Sequence, residues 1–317
     1  MTHAFIQGTG SYLPQKFVSN HDLAKTLDTS DEWIYTRTGI KGRYIASKTE
    51  TTSFMAAQAA HNAMTAASLA ADKIDFIIVA TCTPDYIFPG VACYVQHALG
   101  IQKAIPCLDI NAACSGFIYA LDLAHQYIQT NRANHVLVIG SESMSQAVDW
   151  QNRATCVLFG DGAGAAVVSK GDRQGIISSI LHATYDHQHF LSYANSALNK
   201  QSAYIHMQGH DVFKLAVNRM GEVVDEVLNQ AHLTQKDIDW LVPHQANIRI
   251  IQGIAKKLKL PLEQVIVTIE HQGNTSAASI PLALDSAIKQ QKIQRDDILL
   301  LESFGGGMTW GAMVIRY

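Results

Sequence analysis

Ile105-Pro106-Cys107-Leu108-Asp109-Ile110, followed by Asn111-Ala112-Ala113-Cys114-Ser115-Gly116-Phe117, runs a short apolar strand directly into a helix. The helix is read from apolar side chains at Phe117, Ile118, Leu121, Tyr127 and Ile128, close to the 3.6-residue period. Such junctions build α/β layers, and this one carries a cysteine in the predicted first helical turn. Unpaired backbone N–H groups and the positive end of the helix dipole favour an anion there. They can draw a thiol pKa from about 8.5 to between roughly 3.5 and 7.5. Cysteine is also a common buried filler, so the stretch alone leaves a reactive and a structural thiol open.

The same pattern is written twice. Ile74-Asp75-Phe76-Ile77-Ile78-Val79 is echoed by Ile238-Asp239-Trp240-Leu241-Val242-Pro243, an offset of 164 (238 − 74). Ala112-Ala113-Cys114, with Ala120-Leu121-Asp122-Leu123-Ala124 behind it, parallels Ala277-Ala278-Ser279 with Ala283-Leu284-Asp285-Ser286-Ala287. Phe159-Gly160-Asp161-Gly162 parallels Phe304-Gly305-Gly306-Gly307, and each reads as a glycine-turn hairpin closing its half. Three matches in one order predict an internal duplication, residues 1–172 and 173–317, with a site where the halves meet. Helices are predicted over 52–71, 211–231, 247–260 and 277–290, and strands over 105–110 and 265–269.

With 48% hydrophobic and 16% charged residues in 317, the chain has the balance of a globular protein with a large core. A net charge of −3 gives no general attraction to nucleic acid or membranes. Five scattered cysteines without a C-x-x-C pair suggest neither a disulfide framework nor a zinc site, and fit a reducing compartment. Neither a signal-peptide pattern nor an apolar run of about 18 residues is present, so a cytoplasmic protein is expected.

His244 lies just past an apolar run and a proline, at a strand end, where α/β sheets meet their ligands. Asn274, in Gly273-Asn274-Thr275-Ser276, precedes a helix; the same residues serve equally as cap chemistry. Its turn occupies the place in the second repeat that the Cys114 turn has in the first, so a pseudo-two-fold would bring Cys114, Asn274 and His244 together. Gly305-Gly306-Gly307 allows a backbone N–H to approach a ligand, as in an oxyanion site. Gly160-Asp161-Gly162-Ala163-Gly164-Ala165 matches a dinucleotide pattern but leads into a strand, so no such cofactor is inferred. Trp33 and Arg37 offer an aromatic face and a phosphate-pairing guanidinium. Arg249, Lys256, Lys257 and Lys259 form a local basic cluster suited to an anionic carrier.

Together these segments resemble the β-ketoacyl-acyl carrier protein synthase III family, which starts bacterial type II fatty acid synthesis. The motifs are Asp31-Glu32-Trp33-Ile34, Arg37-Thr38-Gly39-Ile40, Ala112 to Phe117, Phe159 to Ala165, His244-Gln245-Ala246-Asn247, Gly273 to Ser279 and Phe304 to Gly307. The resemblance implies a thiolase-like α/β fold of two duplicated αβαβα halves related by a pseudo-two-fold axis, assembled as a homodimer. It implies Cys114 as acyl-accepting nucleophile, His244 and Asn274 as its catalytic partners, and the backbone N–H groups of Cys114 and Gly307 as oxyanion donors. Trp33 and Arg153 would hold the adenine of coenzyme A, with Arg37 near its phosphates, Phe213 and Asn247 along the pantetheine tunnel, and Phe88 closing the partner's acyl pocket. Gln245, Ala246, Asn247, Ile248 and Arg249 would meet acyl carrier protein, supported by Lys214, Lys256 and Lys257. Ala154 and His210 depart from the family's usual residues. The implied reaction condenses a short acyl-coenzyme A with malonyl-acyl carrier protein, without metal or cofactor.

Rival readings are a condensing enzyme of the same fold with another starter, a papain-like hydrolase, a biosynthetic thiolase, and a silent scaffold with a structural Cys114. The hydrolase lacks its local signature at Ala113-Cys114-Ser115. The thiolase lacks its second cysteine at Gly305-Gly306-Gly307-Met308.

Overall fold

The computed structural model describes residues 2–194 and 204–317. The chain begins β1 (His3–Tyr12), β2 (Lys16–Ser19), α1 (Asn20–Leu23), α2 (Asp31–Thr38), β3 (Gly42–Ile45), α3 (Thr52–Ala66), β4 (Phe76–Ala80), α4 (Val91–Ala98) and β5 (Cys107–Ile110). It continues through α5 (Gly116–Gln129), β6 (His135–Ser143), α6 (Arg153–Cys156), β7 (Asp161–Gly171), β8 (Ile176–Ala183), β9 (Leu191–Tyr193) and β10 (Ile205–Met207). The last part is α7 (Gly209–Ala231), β11 (Trp240–Pro243), α8 (Ile248–Lys257), α9 (Ile269–Gln272), α10 (Ser279–Lys289), β12 (Ile298–Gly305) and β13 (Thr309–Arg316).

Two sheets carry the architecture, ordered β1-β7-β6-β4-β5 and β8-β13-β12-β11. Within each, the first two pairings are antiparallel and the next is parallel. In the first sheet β5 adds a further parallel neighbour to β4; in the second, only Val265 does so, bridging Leu241. Residues 172–175 join β7 to β8.

Strand alternation explains the layers. In β4, Ile77 and Val79 face α3 and α4, whereas Phe76, Ile78 and Ala80 face α5 and α10. In β12, Leu299 and Leu301 face that same middle layer, and Leu300 and Phe304 face α7 and α8. Both sheets are thus apolar on both faces, as buried sheets require. The resulting helix–sheet–helix–sheet–helix stack is the expected αβαβα order.

Four local expectations need correction. The predicted buried strand at 105–110 is the edge strand β5, with Leu108 41% exposed. The predicted strand at 265–269 reduces to the Val265 bridge, and Ile269 opens the helical turn α9. β12 and β13 form a tight hairpin, but β6 and β7 are joined through residues 144–160, which include α6, so only the second half closes on a glycine turn. The repeat register also differs from the one read by eye. Asn111 and Asn274 correspond (274 − 111 = 163), as do Ala113 and Ser276, which puts Ala277, not Ser279, opposite Cys114.

Candidate active site

One cavity of about 910 Å³ is lined by Cys114, His244 and Asn274. Its wall also includes Trp33, Arg37, Arg153, Phe213, Ala246, Asn247, Arg249 and Gly307.

Cys114 sits in a 3-10 turn, Ala113–Ser115, which leads into α5. Three hydroxyls fasten this turn to the β12–β13 hairpin: Ser303 Oγ donates to Cys114 O (2.8 Å), Ser115 Oγ to Thr309 O (3.0 Å) and Thr309 Oγ1 to Ala112 O (2.7 Å). The approach is close enough to require glycine at 305, where a Cβ would lie 2.7 Å from Cys114 N. The thiol is 8% exposed, and burial pushes it up to about 12, against the pull of a Ser276 hydroxyl hydrogen bond and aided by Glu142. Burial thus opposes the pull toward a thiolate that the helix end exerts.

His244 follows β11 and is anchored by its N–H to Glu302 O (2.8 Å). Its Nδ1 lies 2.6 Å from Ser279 Oγ, which also accepts the Gln245 N–H (3.3 Å). We assign the Ser279 proton to Nδ1, which leaves the ring proton on Nε2. Burial holds the imidazole down to about 3, so it is neutral and suited to donate.

Asn274 is fixed by its own backbone. Its N–H donates to Leu158 O (2.8 Å), its O accepts from Gly160 N (3.1 Å), and its Oδ1 accepts from Ser276 N (2.9 Å). The carboxamide's remaining function is to donate from Nδ2. Arg43, which sequence reading missed, supports this turn from below. Its fully buried guanidinium donates to Val157 O (2.7 Å), Asn20 Oδ1 (2.9 Å) and Val18 O (3.2 Å), and burial lowers it to about 10. Partners 114 positions apart leave no local signal in the sequence. Ser276 and Ser279 lay within a quoted motif, but their roles depend on the folded turn.

At the mouth, the guanidinium carbons of Arg37 and Arg153 lie 4.5 and 4.9 Å from the Trp33 ring centroid. Ser30 caps α2 by accepting from Trp33 N (3.0 Å). Asn247 caps α8 and donates to Arg37 O (3.1 Å), and Arg249 donates to Thr36 O (2.9 Å). Ile248 packs where Gly39 has no side chain, Lys214 is exposed on α7, and Lys256 and Lys257 are exposed at the end of α8. Gly307 has φ +121°, a conformation that favours glycine.

One expectation does not fit. Gln245 is fully buried; its Nε2 donates to Pro243 O and Ile266 O, and its Oε1 accepts from Thr268 and Ile269 N–H, so its side chain is not presented to a docking partner. Phe88 is 83% exposed and outside its own cavity, as a residue meant for a partner's pocket would be. Within 185–207, Tyr185, Leu191, Ser192, Tyr193, Ile205 and Met207 also line the cavity, and 195–203 lie outside the described residues.

A buried thiol at a helix start, facing an imidazole and a carboxamide in a tunnel with a cationic aromatic mouth, defines a thiolase-like condensing acyltransferase. The profile of 3-oxoacyl-[acyl-carrier-protein] synthase III matches residues 108–184, and that of its C-terminal part matches 228–317. The β-ketoacyl-[acyl-carrier-protein] synthase III of Coxiella burnetii (strain CbuK_Q154) is 51% identical over 318 residues, spanning 100% of both chains. The crystal structure of 3-oxoacyl-[acyl-carrier-protein] synthase III from Aquifex aeolicus VF5 superposes with a TM-score of 0.94 at 49% identity, covering 99% of this chain and 100% of that one. The priming β-ketosynthase of the R1128 polyketide pathway reaches the same TM-score at 34% identity, covering 99% and 96%. The chain belongs to the β-ketoacyl-[acyl-carrier-protein] synthase III family.

Proposed function

We propose that the protein transfers a short acyl group, acetyl in the first instance, from coenzyme A to Cys114 and condenses it with malonyl-acyl carrier protein. The observation that carries this reading is the convergence of Cys114, His244 and Asn274 on one cavity whose mouth holds Trp33, Arg37 and Arg153. The Cys114 sulfur attacks the thioester carbonyl while the N–H groups of Cys114 and Gly307 stabilise the oxyanion, and coenzyme A departs. Malonyl thioester then loses carbon dioxide. Its electron pair collects on the thioester oxygen, which accepts hydrogen bonds from His244 Nε2 and Asn274 Nδ2. The enolate carbon attacks acyl-Cys114, giving β-ketoacyl-acyl carrier protein and releasing the cysteine. Every bond change is carried by substrate and side chains, so no cofactor or metal is assigned.

Adenine would stack at Trp33 with Arg153, and Arg37 would meet phosphate. Arg249, Lys214, Lys256 and Lys257, with the backbone of 245–248, suit an acidic carrier protein. The open edge of β5, with Leu108, and the exposed Tyr86, Ile87 and Phe88 beside it support a homodimer in which Phe88 enters the partner's site. Five unpaired cysteines support a cytoplasmic setting, and no helix among the described residues is long and apolar enough to cross a membrane. A different starter acyl group is the second reading, supported by the likeness to a polyketide priming enzyme. The test is incubation with a panel of acyl-coenzymes A and mass spectrometry of the Cys114 peptide. Acetyl labelling supports the first reading, preference for a longer acyl group the second, and absence of any acyl label overturns both.

A further inference from the structure

The proposed acyl transfer requires a proton to leave Cys114, and the neighbouring imidazole is a poor acceptor because burial holds it neutral to about 3. Behind Cys114 lies a carboxyl group that the steps above do not use. Glu142, near the end of β6, is fully buried, and every partner it has is a donor. Thr83 Oγ1 donates to it at 2.7 Å, Thr81 Oγ1 at 3.2 Å, Cys82 N at 3.1 Å and Cys82 Sγ at 3.3 Å. The direction of these bonds is set by the surroundings. Thr81 Oγ1 accepts from Thr83 N (3.1 Å) and Thr83 Oγ1 from Ser143 N (2.8 Å), which leaves each hydroxyl proton free to be given to Glu142. Four donors and, among the described residues, no competing acceptor suit a carboxylate with capacity for a proton, while burial favours its taking one up.

A path connects it to the nucleophile. Cys82 Sγ lies 3.9 Å from Ser276 Oγ, and the turn that carries Ser276 packs against the Cys114 turn, where its hydroxyl lowers the Cys114 thiol against the effect of burial. Cys82, Cys114 and Ser276 all line the cavity. Ser276 is held at φ +49°, with its N–H on Asn274 Oδ1, so the turn that presents the catalytic amide also presents this hydroxyl. Hydroxyl and thiol each donate and accept, so both can pass a proton on.

We propose that Glu142 stores the Cys114 proton between the two halves of the reaction, receiving and returning it through Ser276 and Cys82. As the Cys114 sulfur bonds to the acyl carbon, its S–H proton passes to Ser276 Oγ, the Ser276 proton to Cys82 Sγ, and the Cys82 proton to Glu142. The bond from acyl carbon to coenzyme A sulfur breaks, and that thiolate takes a proton from solvent at the cavity mouth. Glu142 is then neutral while negative charge builds on the malonyl enolate. When the enolate expels Cys114 as a thiolate, the relay runs backwards and the thiol is restored. The sum consumes one solvent proton, as decarboxylative condensation of a malonyl thioester demands. Burial raises Glu142 above the ordinary carboxylate range and brings it nearer to the thiol it serves. The titratable groups facing it are Cys82 and Cys114, with the Tyr193 phenol beyond Cys82; burial raises all three, so they are uncharged near neutral pH.

The inference rests on Cys114 being the nucleophile, and the experiment separates the two. Full-length protein is mixed with acetyl-coenzyme A, and the Cys114 peptide is weighed; no acetyl label there removes the nucleophile assignment itself. With the label present, single-turnover acetylation and iodoacetamide alkylation are followed from pH 6 to 9 for wild type, Glu142→Gln, Cys82→Ala and Cys82→Ser. Glu142→Gln should acetylate about 100-fold more slowly at pH 7, with a rate that climbs with pH, yet alkylate faster because a negative charge beside the thiol is gone. Cys82→Ala should slow acetylation, and Cys82→Ser, which keeps a donor and acceptor there, should restore most of it. If acetylation and alkylation both rise in Glu142→Gln, Glu142 is only an electrostatic brake and the relay is overturned. If that variant does not fold, equal rates for Cys82→Ala and Cys82→Ser overturn it.

Discussion

The Cys114 turn and the Asn274 turn are one backbone device used for two kinds of chemistry. Each begins with an asparagine whose Oδ1 accepts the N–H two residues on, Asn111 from Ala113 (3.2 Å) and Asn274 from Ser276 (2.9 Å). Each then places a non-glycine residue at positive φ, Ala113 at +46° and Ser276 at +49°, and passes through a 3-10 turn into α5 or α10. The strain of such conformations, of order 1–3 kcal/mol each, is tolerated in both places because the flanking sheets over-determine the turn. Both turns line the cavity with several residues, and they differ in the reactive group offered there. In the first it is the sulfur one residue past the strained position; in the second it is the asparagine that opens the turn, and the residue matching Cys114 is Ala277. The two turns share one scaffold, and in the proposed reaction their side chains divide nucleophile from hydrogen-bond donor.

The largest effect that tests this division is at the first turn. Cys114→Ala should abolish acetyl labelling, while decarboxylation of malonyl thioester, measured as carbon dioxide release, persists. Loss of both would mean that the turns do not have separate tasks.

At the second turn, Asn274→Ala and His244→Ala should each lower decarboxylation by about 10²–10³-fold, the scale for losing one preorganised donor. Single-turnover acetylation of Cys114 should change far less. Decarboxylation at the wild-type rate in both variants would remove the enolate role.

A backbone probe sharpens the scaffold side of the comparison. Gly305→Ala places a methyl 2.7 Å from Cys114 N and close to Ala113 and Ser115, so it should destabilise the protein by about 1–3 kcal/mol in denaturant titration and slow acetylation. Decarboxylation at the Asn274 side should be spared relative to acetylation.

Smaller still is the effect of Arg249→Glu, which should weaken condensation with the carrier protein several-fold more than acetylation from coenzyme A. Equal losses would point to the Arg249 bond to Thr36 O, a fastening of α8 to α2, as the residue's main task.

The weakest signal is in stability against pH. His244 is held at about 3 when folded and titrates near 6.5 when unfolded, so below about 6.5 the unfolded chain binds the extra proton. Its contribution is present above pH 6.5 and is lost as pH falls towards 3. Wild type should therefore lose more stability than His244→Asn between pH 6.5 and 4.5, by up to about 1 kcal/mol per unit. Matching slopes would mean that the folded ring takes up its proton over the same pH range as the unfolded one.

Much of this comparison was legible in the chain. The strand–turn–helix junction at Cys114, the echoing segments and the main helices follow from the apolar period. The 265–269 strand was misread because a short apolar run does not reveal that only Val265 finds a neighbour. Gln245 was expected to meet the carrier protein; four hydrogen bonds to backbone groups, three of them 21 to 24 residues away, bury it. Arg43 and Glu142 gave no warning, since each is defined by partners tens of residues away.

By itself the sequence determined where a nucleophile, an imidazole and a carboxamide stand relative to strand ends and helix starts, because those are local consequences of periodicity and turn chemistry. Only the tertiary structure decided that burial pushes the Cys114 thiol up and the His244 imidazole down, and that a buried carboxyl group lies behind them. Protonation depends on desolvation and on the hydrogen bonds each group receives, and segments far apart in the chain supply both when the two sheets close around the middle helices.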